Sequence, residues 1–512
     1  MNNSEHDDQT ADSSSLNADL EFVDSLRQNG HTESVQSLVS SSKQKLQRTL
    51  GLPQGFSLMV GLILGSGIFI SPGLVANDTS STGMMLIIWV CAGILALMGS
   101  LCYCELGCLI KMTGSNYANI LNIYGNVCAF LCAWTTCFVI DPSSTSAIAL
   151  TIGVYLTKPF YSSPEEANTA AKLVALGVII ISCLINCVSV KFSNRVQSVF
   201  AVAQISSVVF VIVLGIWKLS EHNVENFHNI FNGTDLDVGS TLHIGIALFG
   251  ALWSFDGWAA INNIIEELHN VERNLLLTVI TSFPFVILCY MMVNISFLSV
   301  LSHKDMSTSK AVGVDFVKVV LGEKMSYLMM VLVGLSSYGT LNGTVFSCPR
   351  TTLSASREGH MPTMFSFIHR RSGAPIPAII LLTLLSSLML LPSASSLNSL
   401  ILIFSQAQWV MYGASLFGVV ILRLRQPNAH RPFKVFILIP ILMSLISLFL
   451  VIIPFFRNPL ESTLVALFIL AGLPVYFVFI HHSLSLPRCC VHSMDSLNAS
   501  VQRYFNMVPC SK

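Results

Sequence analysis

Charged residues are scarce in this chain of 512 residues, in which Asp, Glu, Lys and Arg make up 11% of the sequence and hydrophobic residues 53%. Soluble globular domains carry about 25% charged residues. The shortage therefore excludes a soluble enzyme, and the long apolar runs exclude disorder over most of the chain. These runs are continuous over about 20 residues rather than alternating, which excludes a transmembrane β-barrel.

An excess of charge of either sign is also absent, because 27 basic and 27 acidic residues balance. We therefore expect no nucleic-acid partner. Catalytic groupings are missing as well, since the apolar runs hold no His-Glu-x-x-His, no paired catalytic Asp and no Ser-His grouping. We expect that the chain is not an enzyme and that it uses no cofactor and no metal ion.

Cysteine is missing from every loop that would lie outside the cell. The 14 cysteines fall within or at the ends of apolar runs, except for Cys489, Cys490 and Cys510 near the C-terminus. We therefore expect no disulfide framework. Ordinary packing is the plain interpretation of these cysteines, and palmitoylation of Cys489 or Cys490 is the alternative.

Twelve apolar runs of spanning length recur after residue 50, and they predict an all-α polytopic membrane protein with twelve transmembrane helices. Most Lys and Arg residues fall in the segments that lie inside if both termini are cytoplasmic, so the positive-inside rule predicts that orientation. The runs cover about residues 53–76, 83–107, 126–156, 173–190, 196–217, 240–265, 275–301, 325–346, 375–392, 397–422, 435–456 and 460–482.

Polar segments flank this apolar part. Residues 1–50 are rich in Ser, Asp and Glu, and they predict a disordered cytosolic N-terminal tail rather than a secretory signal. The twelve-helix domain covers residues 51–485, and residues 486–512 form a cytosolic C-terminal tail.

Two of the runs contain a break in the middle of the membrane. The first run is interrupted at Gly65-Ser66-Gly67 and the sixth around Asp256-Gly257. A break inside hydrocarbon is tolerated only where it lines protein or a cavity. The breaks lie five runs apart, and five is an odd number, so the second set of five enters the membrane inverted. This is the 5+5 inverted repeat of secondary transporters.

A zwitterionic ligand fits such a pair of breaks. The unpaired N–H groups of the second half of the first helix suit a carboxylate, and freed carbonyls at the sixth-helix break suit an ammonium group. An α-amino acid carries both groups. The predicted substrate-binding residues are Gly65, Ser66, Gly67, Ile68, Trp253, Ser254, Phe255 and Asp256.

Alternative interpretations apply to each part of this site. A Gly-x-Gly sequence also serves close helix packing. Asp256 is either a functional carboxylate or a protonated or helix-capping one, because an ionisable group in the membrane is costly without a role. Trp253 is either a movable outer lid or an interior packing aromatic. Of the other acidic residues, Glu105 is interpreted as structural and Asp141 is undecided.

A short charged loop follows the eighth run. It reads Ser356-Arg357-Glu358-Gly359-His360-Met361-Pro362 and lies on the inner face. It either forms ion pairs that close an inner gate or is simply solvated.

With these residues placed, the chain resembles an L-type amino acid transporter, the light subunit of the heteromeric amino acid transporters in the amino acid–polyamine–organocation superfamily. The branch it is most similar to exchanges cystine, dibasic and neutral amino acids. The resemblance covers about residues 50–485. It rests on five motifs in order, namely Gly65 to Pro72, Asp256-Gly257-Trp258 with Glu266 to Leu268 and Arg273 to Leu275, Leu341 to Thr344, Ser356 to His360, and Arg431 to Val435.

The resemblance implies a LeuT-type fold and sodium-independent, one-for-one exchange of amino acids at the plasma membrane. It also implies a single-span glycoprotein heavy subunit. An Asp at the place of Asp256 is similar to the cystine and dibasic exchanger, whereas members restricted to large neutral substrates have Gly there. We therefore expect neutral and cationic amino acids as substrates, with Asp256 compensating a positive side chain.

The sequence departs from the family pattern at several places. The loop after the third helix, residues 160–166, lacks the Cys that links a heavy subunit, so we expect a non-covalent partner. A Lys common in the fifth helix is Gln204, at the position where a sodium ion sits in coupled relatives. Asp141 stands at a place that is usually basic, and Ala259 and Gln406 also differ.

Because of these departures from the family pattern, two other functions remain open. A cation-coupled amino acid symporter is motivated by the neutral Gln204. A non-transporting amino acid sensor or interaction protein is motivated by the missing loop Cys and the long Ser-rich tail.

Overall fold

A computed structural model describes residues 48, 50–65, 67–157, 160–161, 163–221, 225–234, 238–309, 311–391, 396–481, 498, 502–503 and 506–510. Three residues of the sequence analysis, Ser66, Cys489 and Cys490, lie outside this part of the chain, as do residues 1–47. Leu50 is buried and exchanges backbone hydrogen bonds with Glu267 and His269. The folded domain therefore begins no later than Leu50.

The first half of the domain is helical throughout its membrane-spanning parts. A π-helical turn, Thr136–Ile140, joins two of its helices without a break. The helices are α1 (Leu52–Ile63), α2 (Gly67–Asn77), α3 (Thr82–Ile110), α4 (Asn116–Tyr124), α5 (Asn126–Thr135), α6 (Asp141–Thr157), α7 (Pro164–Val188) and α8 (Val190–Ser220).

The second half repeats this pattern and adds two further spans. Short 3₁₀ helices lie at Glu225–Phe227, Ala260–Glu267 and Thr363–Ser366, and a π-helical turn at Tyr476–His481. The α-helices are α9 (Val238–Ser254), α10 (Val271–Leu298), α11 (His303–Thr308), α12 (Val312–Leu321), α13 (Glu323–Ser347), α14 (Pro349–Arg357), α15 (Ile376–Leu390), α16 (Leu397–Arg425), α17 (Leu438–Arg457) and α18 (Pro459–Val475).

The prediction of an all-α polytopic membrane protein is confirmed. Within the described residues, nine helical segments are long and apolar enough to cross a bilayer, and the bent pair α1 and α2 supplies a tenth. Two shorter apolar helices, His243–Ser254 and Ile376–Leu390, fall on the sixth and ninth predicted spans. Every predicted span therefore coincides with helix.

The first and sixth spans are interrupted where the sequence predicts. Helices α1 and α2 are bent by 41° at the break. Helix α9 ends at Ser254, and Gly257 then takes a positive φ of 106° that suits a residue without a side chain. The sequence predicts helix through residue 265, but the α-helix ends at Ser254. The later part of the span, Ala260–Glu267, is a 3₁₀ helix. It is polar there, and Asn262 donates to the carbonyl of Tyr103 across 2.9 Å.

Contacts between spans repeat between the two halves. The first span packs on the seventh (α1 on α10), and correspondingly the sixth packs on the second (α9 on α3). The third packs on the tenth (α6 on α16), and the eighth on the fifth (α13 on α8). An exchange of partners of this kind is what a repeat of five helices produces.

Two buried ion pairs hold the inner ends of the spans together. Glu105 of α3 binds Arg423 of α16 at 2.5 Å, contacts Arg431 at 3.5 Å and accepts the backbone N–H of Val435. This set of partners agrees with the interpretation of Glu105 as structural. In the second pair, Glu267 binds Arg350 at 2.5 Å.

The C-terminal segment adds a strand to the inner face. β1 (Phe367–His369) pairs antiparallel with β2 (Met507–Pro509). The next residue, Cys510, donates its backbone N–H to the carbonyl of Ser366 at 3.0 Å. The described end of the C-terminal tail is therefore docked on the membrane domain.

We expect Glu105→Ala to lower the free energy of unfolding by about 2–4 kcal/mol, because it leaves Arg423, whose side chain is 11% exposed, without its counter-charge. The matched control is Glu272→Ala, which breaks the exposed pair with Lys111 and should change stability much less. Thermal unfolding of the purified protein in detergent compares the two. Equal shifts of the unfolding midpoint would contradict the structural role.

Candidate functional site

Two adjoining cavities lie at the helix breaks. The break cavity, of about 460 Å³, is lined by Gly65, Gly67, Trp253 and Ser254 among others. The second cavity, of about 600 Å³, is lined by Asp141 and Tyr412 among others, and we call it the inner cavity. Both cavities are bordered by the same six residues, which are Leu62, Ser144, Asp256, Gly257, Thr344 and Phe404. The two cavities therefore adjoin, and Asp256 lies in the wall that they share, which we call the junction.

The structure brings most of the predicted site residues to the break cavity, but not all of them. Gly65, Gly67, Trp253, Ser254 and Asp256 line it. The side chains of two others are buried away from it: Ile68 lies in the core, and Phe255 packs against Trp89 and Tyr290 at ring-centroid distances of 6.0 and 4.8 Å.

The start of α2 forms one end of the break cavity. Because the helix begins at Gly67, its first backbone N–H groups have no acceptor within the helix. A Cβ on Gly67 would lie 2.9 Å from the Cα of Ser254, so the two broken spans touch here. The start of α2, with its unpaired amides, therefore lies against the end of α9 at a contact that only glycine permits.

The carbonyls at the two breaks are partly occupied by Tyr290 of α10. Its hydroxyl lies 2.5 Å from the carbonyl oxygen of Ile63 and 2.9 Å from that of Ser254. The carbonyl of Trp253 accepts the backbone N–H of Asp256 at 3.2 Å. The sequence analysis missed Tyr290, although a polar ring in the apolar seventh span was a signal for it.

Asp256 has a neutral partner. The hydroxyl of Tyr412 in α16 donates to Asp256 Oδ1 at 2.8 Å. The Tyr412 ring in turn packs against Trp258 and Trp409, at centroid distances of 4.2 and 5.5 Å. Tyr412 therefore fixes the carboxylate at the junction of the cavities without neutralising it. The sequence analysis did not identify it.

Gln204 of α8 is fully buried beside the first break. Its side-chain nitrogen has two N–H groups and lies within hydrogen-bond distance of three oxygens, the carbonyls of Gly61 at 2.9 Å and Ser336 at 2.8 Å and the hydroxyl of Thr340 at 3.2 Å. Ser336 also donates to the carbonyl of Leu64 at 3.1 Å. A neutral donor thus occupies a place surrounded by oxygen atoms, at the bend of the first span.

The inner loop forms ion pairs instead of being simply solvated. Arg357 binds Glu266 at 3.0 Å, and Glu266 also accepts the backbone N–H of Thr113 at 3.0 Å. Arg357 lies 2.6 Å from the sulfur of Cys510 in the C-terminal segment. Beside it, burial lowers the pKa of His360, so this side chain is neutral at pH 7. The pair joins the end of the sixth span to the loop and the tail.

Two interrupted helices that meet in the middle of the membrane beside an internal cavity define a secondary transporter of the broken-helix class. The comparison with known proteins agrees with this class. The chain belongs to the amino acid permease family, whose model matches residues 50–480.

Individual relatives are similar over almost their full length. The b(0,+)-type amino acid transporter 1 of Homo sapiens is 38% identical over 438 residues, which cover 85% of this chain and 89% of the relative. The cystine/glutamate transporter of Homo sapiens is 34% identical, with coverage of 91% and 92%. The large neutral amino acids transporter small subunit 2 of Mus musculus is 31% identical, with coverage of 90% and 86%. All three are named as transporters, in agreement with the expectation that the chain is not an enzyme.

We expect Tyr290→Phe to destabilise the protein by about 1–3 kcal/mol, because the buried carbonyls of Ile63 and Ser254 lose their shared donor. The control Tyr327→Phe removes a hydroxyl from an exposed tyrosine and should change stability little. Thermal unfolding in detergent measures both variants. A Tyr290→Phe midpoint equal to that of the control would show that the hydroxyl is not needed at the breaks.

Proposed function

We propose that this chain is a sodium-independent amino acid exchanger of the plasma membrane, which carries neutral and cationic amino acids by alternating access. The observation that carries the proposal is the meeting of the two broken spans at Gly67 and Ser254, beside a cavity that contains Asp256. The names of the relatives, which include a b(0,+)-type amino acid transporter and a small subunit, support the same function.

The substrate's two charged groups would be held at opposite sides of the break cavity. The backbone N–H groups of Ser66, Gly67 and Ile68 would bind the α-carboxylate. The N–H of Gly65, which also belongs to the predicted site, donates to the carbonyl of Ile63 at 2.7 Å. The carbonyls of Trp253, Ser254 and Phe255 would bind the α-ammonium group. A carbonyl oxygen has two lone pairs, so the Ser254 carbonyl can accept a substrate proton in addition to the Tyr290 hydroxyl.

The side chain of the substrate would then point toward Asp256, where a negative charge favours a positive end. Trp253 lines the break cavity and would act as the outer lid. On the inner side, the ion pair between Arg357 and Glu266 would close the route to the cytoplasm and open in the inward-facing state.

Independence from sodium is supported by the surroundings of Gln204. Its amide nitrogen lies among three oxygens and occupies the space in which a cation could otherwise contact them. Sodium is therefore not required to hold the bend of the first span against α8 and α13. This geometry favours exchange over the alternative of a cation-coupled symporter.

A single-span heavy subunit is proposed as the partner. One relative is named a small subunit, which supports an assembly of unequal chains. Residues 158–166 after the third span contain no cysteine, so the association would be non-covalent. The plasma membrane location and the cytoplasmic termini follow from the resemblance and from the distribution of Lys and Arg. Residues 51–485 would form the transporter domain, between cytosolic tails at 1–50 and 486–512.

Exchange is tested by loading proteoliposomes that hold this chain with labelled leucine or arginine in sodium-free buffer. We expect efflux only when unlabelled amino acid is present outside. A parallel set that also holds a candidate heavy subunit reveals whether a partner is required. Saturable binding without flux in either set would instead support a sensor.

The position of the substrate is tested by Gly67→Ala. The added Cβ would press on Ser254, so we expect the exchange rate to fall at least about tenfold. The control is Gly177→Ala in α7, where a Cβ would meet nothing within 4 Å. Equal rates for the two variants would place the substrate elsewhere.

The role of Gln204 is tested by Gln204→Ser and Gln204→Lys. We expect exchange by the wild-type protein and by Gln204→Lys to be unchanged when sodium replaces choline, because both retain a nitrogen donor. Gln204→Ser exposes the oxygens of Gly61, Ser336 and Thr340, so sodium should restore its reduced activity. Stimulation of the wild-type protein by sodium would instead support the symporter.

A further inference from the structure

A second carboxylate faces the same internal space as Asp256. Asp141 begins α6 directly after the π-helical turn Thr136–Ile140, a local geometry that is frequent at functional sites. Its side chain lines the inner cavity, and the residue is only 8% exposed. Unlike Asp256, it does not border the break cavity.

Neither carboxylate has a positive partner in the described part of the chain. The described ion pairs involve neither Asp141 nor Asp256, and no Lys, Arg or His lines the inner cavity. The described partner of Asp256 is the neutral hydroxyl of Tyr412, and the neutral thiol of Cys348 lines the inner cavity together with Asp141. Two ionised carboxylates beside one internal cavity are costly, so the pair favours a proton on one of them or a cation that both can contact.

The order of the residues along the two cavities indicates where a ligand would carry its positive charge. Gly67 and Ser254 lie at the break cavity, Asp256 at the junction and Asp141 only at the inner cavity. The hydroxyl of Ser254 is buried, with 3% exposure, lines the break cavity and has no hydrogen-bond partner among the described residues. A ligand is therefore expected to place polar groups near Ser254 and a positive charge further inward.

We propose that Asp141 and Asp256 together bind the positive end of a long cationic side chain, so that Asp141 selects amino acids of the length of lysine or arginine. The inference rests on the proposed function, because it places the α-carboxylate and α-ammonium groups at the break cavity. A shorter diamine side chain reaches Asp256 at the junction but not Asp141.

The test measures binding of labelled arginine to the purified full-length chain in detergent, displaced by unlabelled arginine, lysine, 2,3-diaminopropionate or leucine. Exchange in proteoliposomes is measured in parallel. The variants are Asp141→Asn, Asp141→Glu and Asp256→Asn. The charge-matched control is Asp305→Asn in the exposed helix α11, away from both cavities.

We expect Asp141→Asn to weaken the binding of arginine and lysine about tenfold, the loss typical of one partly desolvated charge contact, and to leave leucine and 2,3-diaminopropionate nearly unchanged. Asp256→Asn should weaken all three cationic ligands. Asp141→Glu should retain most of the arginine binding, which separates loss of charge from misfolding, and Asp305→Asn should match the wild-type protein.

Three results would overturn the inference. In Asp141→Asn, the binding of arginine and leucine could weaken equally, or the binding of lysine and 2,3-diaminopropionate could weaken equally. The third result is a wild-type protein that does not bind arginine. An effect of Asp141→Asn only on the response to sodium or to pH would assign the site to an inorganic cation or a proton instead. Selective binding of arginine and lysine without exchange would support the cation site and refute the exchange function. Exchange of neutral amino acids alone would support the exchange function and refute the cation site.

Discussion

The main constraint on this structure is that every backbone polar group at the two helix breaks must be satisfied without water. A continuous helix satisfies its own groups, but the ends of α1 and α9 do not. The structure meets this demand with side chains from neighbouring spans. Tyr290 serves the carbonyls of Ile63 and Ser254, while Gln204 serves that of Gly61. These contacts hold the breaks in a defined position beside the break cavity and leave fewer backbone carbonyls without a donor.

The sequence predicted the positions of the spans and of both breaks, because length, apolar composition and glycine pairs are local signals. It also predicted that Asp256 lies in a break. The polar ring of Tyr290 in an apolar span was a signal, but the sequence could not show which groups the hydroxyls of Tyr290 and Tyr412 contact. Each hydroxyl contacts a residue that is distant in the chain. Nor could the sequence predict that the inner part of the sixth span is 3₁₀-helical, because tertiary contacts such as that of Asn262 decide between similar helix types.

The charged residues near the membrane divide into two groups that differ in their partners. Glu105 and Glu267 each bind a buried arginine, and both pairs join the inner ends of different spans. Asp141 and Asp256 meet only neutral groups and face the internal cavities. The cost of a buried charge is compensated within the protein in the first group and calls for a mobile cation in the second. The sequence left Asp141 undecided because this difference depends on which neighbours surround a carboxylate.

Alternating access requires the first span to move against α8 and α13, and Gln204 lies at this contact. A hydrogen bond between neutral groups contributes about 0.5–1.5 kcal/mol, and one that involves a charged group about 1.5–3 kcal/mol. A neutral amide therefore holds α1 in place with less energy than a lysine would at the same position. In the proposed transport cycle, this amide would support the bend of the first span without sodium and would still be weak enough to release it. In this account, the difference in substrate charge is set at Asp141 and Asp256, and the ease of the conformational change is set separately at Gln204.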